Sequence, residues 1–147
     1  MATKVLVVDD NICLSSLLQQ MLEENGFEVN AAADSREAYM AFLLDRPDVI
    51  LTDIHMPGGN GLEMMKRIRT LNPEVRTIYM SGDCISFQSA IQEEEKKFHA
   101  RFLRKPFSGD DLIKLLSECV NPHGKTAAER VQPFWSSEHY PCASKMH

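Results

Sequence analysis

Short apolar runs recur along the first 120 residues, and the segments between them carry apolar residues at a helical spacing. Residues 5–8 (VLVV) form an uninterrupted run that stops at Asp9-Asp10, a pattern typical of a strand buried on both faces. The same criterion predicts four more strands. They lie near residues 27–31, 49–51, 75–80 and 101–103.

Between the strands, apolar residues that return every three or four positions predict amphipathic helices. Asn25-Gly26 is expected to end the first helix, and Asp34 with Glu37 three residues later is expected to cap the second. The residues expected to face the core are Leu14, Leu17, Leu18, Met21 and Leu22, then Ala38, Ala41 and Phe42, then Leu62, Met65, Ile68 and Leu71, and finally Leu112, Leu115, Leu116 and Cys119.

The segment 85–97 has the weakest helical pattern. Ile85, Ala90 and Ile91 are apolar, but residues 93–97 (EEEKK) are wholly charged. This composition predicts a marginal, exposed fourth helix whose charged run is a solvated face.

Five strands alternating with five helices predict parallel strands joined by right-handed crossovers, in a three-layer α/β fold with helices on both faces of the sheet. After Val120 the pattern stops, and the last 27 residues contain three prolines and no amphipathic period. We therefore expect a folded domain over residues 1–120 and a flexible tail over residues 121–147 without an output domain.

Composition narrows the classes of function. The chain has 147 residues and a net charge of −5, which disfavours direct binding to DNA. The first apolar run is too short for a signal peptide or a membrane span. The four cysteines show neither a paired spacing nor a zinc-site spacing. These features together predict a cytoplasmic protein with no membrane or nucleic-acid partner.

Polar residues follow four of the predicted strands. Asp9-Asp10, Asp53, Ser81 and Lys105 stand at or just beyond strand ends, and parallel strands bring such residues to one edge of the sheet. Three carboxylates in one crevice repel each other unless a cation compensates, and their hard oxygen ligands suit Mg²⁺. A simpler alternative is that Asp10 or Asn11 only caps the first helix.

Asp53 follows a run that is buried on both faces, so its carboxylate is expected to point into the crevice. There it can act as a nucleophile toward a phosphoryl group, with Lys105 and the hydroxyl of Ser81 stabilising the phosphoryl oxygens. Lys105 precedes Pro106, which favours an extended backbone and allows a cis bond. The alternative role of Lys105 is that of a solvated surface lysine.

With these residues in place, the chain resembles the receiver domains of two-component response regulators over about residues 3–120. Four motifs carry the resemblance, in the order in which the family has them. They are residues 5–11 (VLVVDDN), residues 51–57 (LTDIHMP) with Gly61 beyond, residues 80–82 (MSG) and residues 105–107 (KPF).

The resemblance implies a flavodoxin-like (βα)5 fold with strand order 2-1-3-4-5. It implies that Asp53 is the phosphoacceptor for a histidine kinase or phosphotransfer protein, and that Lys105 pairs with the phosphoryl group. Asp9, Asp10, Asp53 and the backbone carbonyl of His55 would hold Mg²⁺ or Mn²⁺.

The resemblance also implies a switch. The Ser81 hydroxyl would turn to the phosphoryl group and the aromatic ring of Phe102 would follow. This change would alter the surface of the fourth helix, fifth strand and fifth helix for a protein partner. Because Phe102 lacks a hydroxyl, its part must rest on packing. His55 and Asp83 stand where family members tune the lifetime of the phosphorylated state. A monomer or weak homodimer is expected.

Three other functions remain open. A phosphohydrolase with Asp53 as nucleophile would want a second aspartate two residues later, where this chain has His55. A non-phosphorylated interaction module would have no need of the full set of site residues. A flavin mononucleotide binder would need a phosphate-cradling loop after the first strand, where Asp9-Asp10-Asn11 would repel phosphate.

Overall fold

The structure, a computed structural model, describes residues 2–56, 59–83 and 85–120. Strands and helices alternate through the chain as the apolar pattern predicts. In chain order the elements are β1 (Lys4–Val8), α1 (Ile12–Glu24), β2 (Glu28–Ala32), α2 (Ser35–Asp45), β3 (Val49–Asp53), β4 (His55–Met56), β5 (Gly59–Asn60), α3 (Gly61–Leu71), β6 (Arg76–Ser81), α4 (Gln88–Phe98), β7 (Arg101–Arg104) and α5 (Gly109–Val120).

Five of these strands form one parallel sheet in the order β2-β1-β3-β6-β7. The sequence predicts the order 2-1-3-4-5 for its five strands, and β6 and β7 are the fourth and fifth strands of this sheet. The flavodoxin-like three-layer fold is therefore confirmed. The chain reverses direction across the sheet between β1 and β3, and such a switch point opens a crevice at the carboxyl ends of the strands.

The small antiparallel hairpin of β4 and β5 was not predicted. It pairs His55 with Asn60 and Met56 with Gly59. Strands of two residues carry too little hydrophobic alternation to stand out in a sequence. The hairpin leads directly into α3, whose N-terminus is capped by the Asn60 side chain accepting a hydrogen bond from the Glu63 N–H.

The core lies on both faces of the sheet, which explains the continuous apolar strand runs. Leu6 and Val8 pack on the face covered by α2, α3 and α4, whereas Val5 and Val7 pack on the face covered by α1 and α5. All four of these side chains are buried. Alternate residues of a strand point to opposite faces, so an apolar residue is needed at every position.

Several details of the sequence prediction are wrong. Leu17 and Leu71 were expected to face the core, yet they are exposed, because each lies at the margin of its helical stripe. The fourth helix begins at Gln88, which leaves Ile85 in the preceding loop, whereas the exposure of Ala90 agrees with the prediction of an exposed helix. Within the charged run of this helix, Glu94 is buried, so the run is not simply a solvated face.

Residues 121–147 lie outside the described residues, and the flexible tail therefore stays a prediction. No helix in the described part of the chain is long and apolar enough to cross a membrane.

Candidate functional site

Four strands of the sheet deliver polar side chains to its carboxyl edge. Asp9 directly follows β1, Asp53 is the last residue of β3, Ser81 is the last residue of β6 and Lys105 directly follows β7. Asp9, Asp53 and Ser81 are each buried. The convergence predicted from the strand pattern is thus present in the structure.

Lys105 links two of these acids. Its Nζ atom donates hydrogen bonds to Oδ2 of Asp9 at 2.9 Å and to Oδ2 of Asp53 at 3.1 Å. The Lys105-Pro106 peptide bond is cis, and the Lys105 side chain keeps 24% of its surface exposed. Lys105 is therefore an ion-paired residue of the crevice rather than a solvated surface lysine.

Burial changes the proton affinity of both partners. Desolvation raises the pKa of Asp53 above its ordinary value, and the Lys105 hydrogen bond offsets only part of this effect. Burial works to lower the pKa of Lys105, but the combined interactions with Asp9 and Asp53 prevail, and the pKa is raised. The ammonium is thus held in its charged form beside a carboxylate that lacks full solvation.

The three acids also form a group that could hold a metal ion. One carboxylate oxygen from each of Asp9, Asp10 and Asp53 lies within 4.8 Å of the other two. Asn11, not Asp10, caps α1 by accepting a hydrogen bond from the Leu14 N–H at 3.1 Å, so Asp10 remains part of the acid group. Carboxylate oxygens are the ligands that Mg²⁺ prefers, and the donor set therefore fits a hard divalent cation.

Backbone groups orient the two buried acids. The Asn11 N–H donates to Oδ1 of Asp9 at 2.9 Å, and the His55 N–H donates to Oδ1 of Asp53 at 3.2 Å. Both bonds use Oδ1, which leaves Oδ2 of each residue facing Lys105. A glycine is required nearby, because a side chain at Gly61 would collide with the backbone carbonyl oxygen of Asp53.

The Ser81 hydroxyl is tied to the loop before α4 instead of to Asp53. Its Oγ accepts a hydrogen bond from the Asp83 N–H at 2.9 Å and donates one to the Asp83 carbonyl oxygen at 3.2 Å. The carboxylate of Asp83 in turn accepts hydrogen bonds from the Ser86 hydroxyl and from the N–H groups of Ser86 and Ile85. These bonds lower the pKa of Asp83. Ser81 and this loop are therefore connected through Asp83.

An aromatic contact that the sequence did not predict forms the rim of the crevice. The rings of His55 and Phe87 meet edge to face with centroids 4.8 Å apart. His55 is exposed, in keeping with the sequence-based interpretation of a solvated histidine, but its ring is held by this contact. Phe102, the predicted aromatic switch residue, is 3% exposed and packs in the core between the sheet and the helices.

A five-stranded parallel sheet of this order, with an acidic, lysine-bridged crevice at its carboxyl edge, defines the chain as a flavodoxin-like α/β domain with a charged site. The response regulator receiver domain model matches residues 5–117, so the chain belongs to that family. Receiver domains are the signalling domains of two-component systems, and the resemblance seen in the sequence is confirmed.

Individual relatives cover most of the domain. The chain is 30% identical over 112 residues to sporulation initiation phosphotransferase F of Bacillus subtilis (strain 168), covering 76% of this chain and 89% of that protein. It is similar in structure to chemotaxis protein CheY4 of Vibrio cholerae, with a TM-score of 0.74, 30% identity and coverage of 81% and 99%. The chain is also 29% identical over 127 residues, or 86% of its own length, to the transcriptional regulator NtrC of Azospirillum brasilense. It spans only 26% of the length of that relative.

Proposed function

We propose that the chain is a phosphorylation-activated switch in which Asp53 accepts a phosphoryl group from a phosphohistidine donor. The observation that carries this proposal is the position of Lys105 Nζ, 3.1 Å from Asp53 and 2.9 Å from Asp9. A buried carboxylate beside a fixed cation is suited to attack phosphorus, because the cation offsets the charge of the phosphoryl oxygens.

In the proposed step, a carboxylate oxygen of Asp53 forms a bond to phosphorus as the bond from phosphorus to the donor imidazole nitrogen breaks. The imidazole leaves with that electron pair and takes up a proton from solvent. Asp9, Asp10, Asp53 and the backbone carbonyl of His55 would hold Mg²⁺ or Mn²⁺, which when bound would neutralise charge on the phosphoryl oxygens.

The switch in this proposal begins at Ser81. To reach a phosphoryl group on Asp53, its hydroxyl must give up both hydrogen bonds with Asp83. Since Asp83 also holds Ser86, the loop before α4 then shifts, and the surface of α4, β7 and α5 changes. Phe102 is already buried in this structure and would contribute by repacking.

The proposed donor is a sensor histidine kinase or a phosphotransfer protein, and the proposed target is a protein that recognises the altered α4-β7-α5 surface. The names of the relatives support this assignment, since one is a phosphotransferase and another is a chemotaxis protein. The net negative charge of the chain argues against direct binding to DNA.

Intact mass after incubation with acetyl phosphate and Mg²⁺ tests the proposal. We expect one adduct of phosphoryl mass in the parent chain and none with Asp53→Asn or with a chelator. Asp45→Asn is the matched control, because Asp45 pairs with Lys4 at the opposite edge of the sheet and should leave the adduct unchanged.

The other outcomes are distinct. Release of inorganic phosphate without an adduct, and without trapping by beryllofluoride, would support the phosphohydrolase alternative. Absence of an adduct, of phosphate release and of Mg²⁺ binding would support an interaction module and contradict the proposal.

A further inference from the structure

A second charged cluster lies beneath α4, away from the crevice. Nη1 of Arg69, on α3, is 2.6 Å from Oε1 of Glu94, on α4, and each side chain keeps only 6% of its surface exposed. The Tyr79 hydroxyl on β6 donates a hydrogen bond to the same Oε1. Nη2 of Arg69 donates to Oγ1 of Thr77 at 3.2 Å. We call these four residues the Glu94 network.

The position of α4 depends heavily on this network. Among the described residues of the helix, only Ile91 and Glu94 are buried. The Phe98 ring adds a cation–π contact, 4.0 Å from the guanidinium carbon of Arg69. No side chain caps the helix at Phe87. One aliphatic side chain and one carboxylate therefore supply the inward anchors of α4.

A carboxylate anchor behaves differently from an apolar one. An apolar side chain that is displaced loses packing contacts, whereas a displaced buried carboxylate also loses its counter-charge and hydrogen bonds and must either find new partners or move into water. Movement of α4 therefore favours two distinct positions over a continuum. The network is also incompletely satisfied, because Nε of Arg69 has no hydrogen-bond partner within the described part of the chain.

The network lies next to the proposed switch residue. Tyr79 and Ser81 are alternate residues of β6 and so point to the same face of the sheet. Ser81 binds Asp83, and the Asp83 carboxylate holds the loop that enters α4 at Gln88. The helix is thus held at its start by the loop that contacts Ser81 and along its inner face by Glu94.

From this arrangement we propose that the Glu94 network fixes the resting position of α4 and sets the balance between the resting and activated forms of the switch. This inference rests on the proposed function of Asp53 and Ser81. A weaker network releases α4 and favours the activated arrangement before any phosphoryl group is bound.

The first experiment requires no phosphoryl donor. Hydrogen exchange of the α4 amides, followed by mass spectrometry, should be at least several-fold faster in Tyr79→Phe than in the parent. Glu94→Gln should show a larger effect, and Tyr79→Phe remains informative if that variant fails to fold, since it leaves the ion pair intact. Glu93→Gln is the matched control, because Glu93 is an exposed residue of the same helix that pairs with Lys97 at 3.5 Å. Parent-like exchange in Tyr79→Phe would overturn the proposal.

The second experiment measures the balance between the resting and activated forms of the switch. Titration with beryllofluoride in the presence of Mg²⁺, read from the fluorine resonance of the bound species, gives a half-saturating concentration for each protein. We expect Tyr79→Phe to lower this concentration several-fold relative to the parent and to Glu93→Gln. An unchanged concentration together with faster exchange would show that the network is only structural, and would overturn this inference alone. A parent chain that binds no beryllofluoride would contradict the proposed function, and the inference that rests on it.

Discussion

Two charged clusters lie on the same domain, and they differ in charge balance and in access to water. In the crevice, three carboxylates face one ammonium among the described residues, Asp10 is exposed and Lys105 is partly exposed. In the Glu94 network one carboxylate meets one guanidinium, and both side chains are almost wholly enclosed. Excess negative charge at an open edge favours a cation, whereas a balanced, closed pair favours a fixed structure.

The two clusters also show what desolvation does in different surroundings. Burial raises the pKa of Asp53 although Lys105 opposes the shift. Burial also raises the pKa of Tyr79 well above its ordinary value, and the Glu94 carboxylate strengthens that shift. In the crevice the result is a carboxylate with incomplete solvation and a raised pKa. Beneath α4 it is a hydroxyl that stays protonated and keeps donating to Glu94.

The largest effect on stability should come from breaking the buried ion pair between Arg69 and Glu94. Glu94→Gln leaves the Arg69 guanidinium buried without a counter-charge, and we expect the free energy of unfolding to fall by roughly 3–5 kcal/mol. Urea unfolding followed by circular dichroism measures the change. Glu93→Gln should stay within about 0.5 kcal/mol, since its ion pair is exposed.

A double variant sharpens this test. Arg69→Met combined with Glu94→Leu removes both charges, so much of the stability lost in Glu94→Gln should return. If the double variant is as unstable as the single one, the loss arises from packing, and the account of the network as a charge pair is wrong.

The largest effect on reactivity should come from Lys105, whose ammonium pairs with both Asp9 and Asp53 in the crevice. Lys105→Met removes the group that we propose stabilises the phosphoryl oxygens, and we expect the rate of adduct formation with acetyl phosphate to fall roughly 10²–10³-fold. The time course of intact mass measures this rate. Lys97→Met, which removes an exposed lysine of α4, should react like the parent. Equal rates in Lys105→Met and the parent would contradict the assigned role.

The contrast between the clusters explains how much could be predicted from the sequence. The crevice was predictable because Asp9, Asp53 and Lys105 each follow an apolar run, and parallel strands carry such residues to one edge. The strand order agrees with that implied by the motifs. The convergence of Asp9, Asp53 and Lys105 depends only on the topology of the fold.

The Glu94 network could not be predicted in the same way. Glu94 stands in a run of five charged residues, and nothing in the run marks one member as buried. Arg69 stands one position after Ile68 in the apolar stripe of α3, where a solvated arginine would be expected. Their pairing is set by how α3 and α4 pack on the sheet, which is tertiary information. The contact of Phe87 with His55 was missed for the same reason.

A smaller change in stability is expected at the crevice. Substitution of Asp53 should raise the free energy of unfolding, whereas Glu94→Gln should lower it. Because the pKa of Asp53 is raised in the folded state, its contribution to stability is full below its ordinary pKa near 4 and is lost as pH rises through the raised value. At pH 7 the ionised group therefore costs stability. We expect Asp53→Asn to raise the free energy of unfolding by roughly 1–3 kcal/mol in metal-free buffer, as measured by urea unfolding with a chelator present. A loss of stability would show that Asp53 is fully compensated by Lys105.

Addition of Mg²⁺ should stabilise the protein through the acids of the crevice and not through the Glu94 network. If the acids bind Mg²⁺, saturating Mg²⁺ raises the free energy of unfolding of the parent by about 1–3 kcal/mol through mass action. Asp10→Asn should lose most of this gain, since Asp10 is an acid of the group that does not pair with Lys105. Tyr79→Phe should keep it. Equal gains in Asp10→Asn and the parent would place the ion elsewhere.

The smallest expected effect is the loss of stability that ionisation of Tyr79, a member of the Glu94 network, causes at high pH. Since the pKa of Tyr79 is raised in the folded state, its stabilising contribution is full below the ordinary value near 10 and falls as pH rises above it. Between pH 9 and pH 11 the parent should lose more stability than Tyr79→Phe in urea unfolding, by at most about 1.4 kcal/mol, which is the limit when the hydroxyl ionises only in the unfolded chain. Burial raises the pKa of Cys119 to about 11, so titration of this thiol lowers the free energy of unfolding of both proteins over the same pH range. The difference in free energy between the parent and Tyr79→Phe therefore reports on Tyr79. Parallel pH profiles would mean that the Tyr79 hydroxyl ionises as readily in the folded chain as in the unfolded one, which a closed, hydrogen-bonded cluster does not allow.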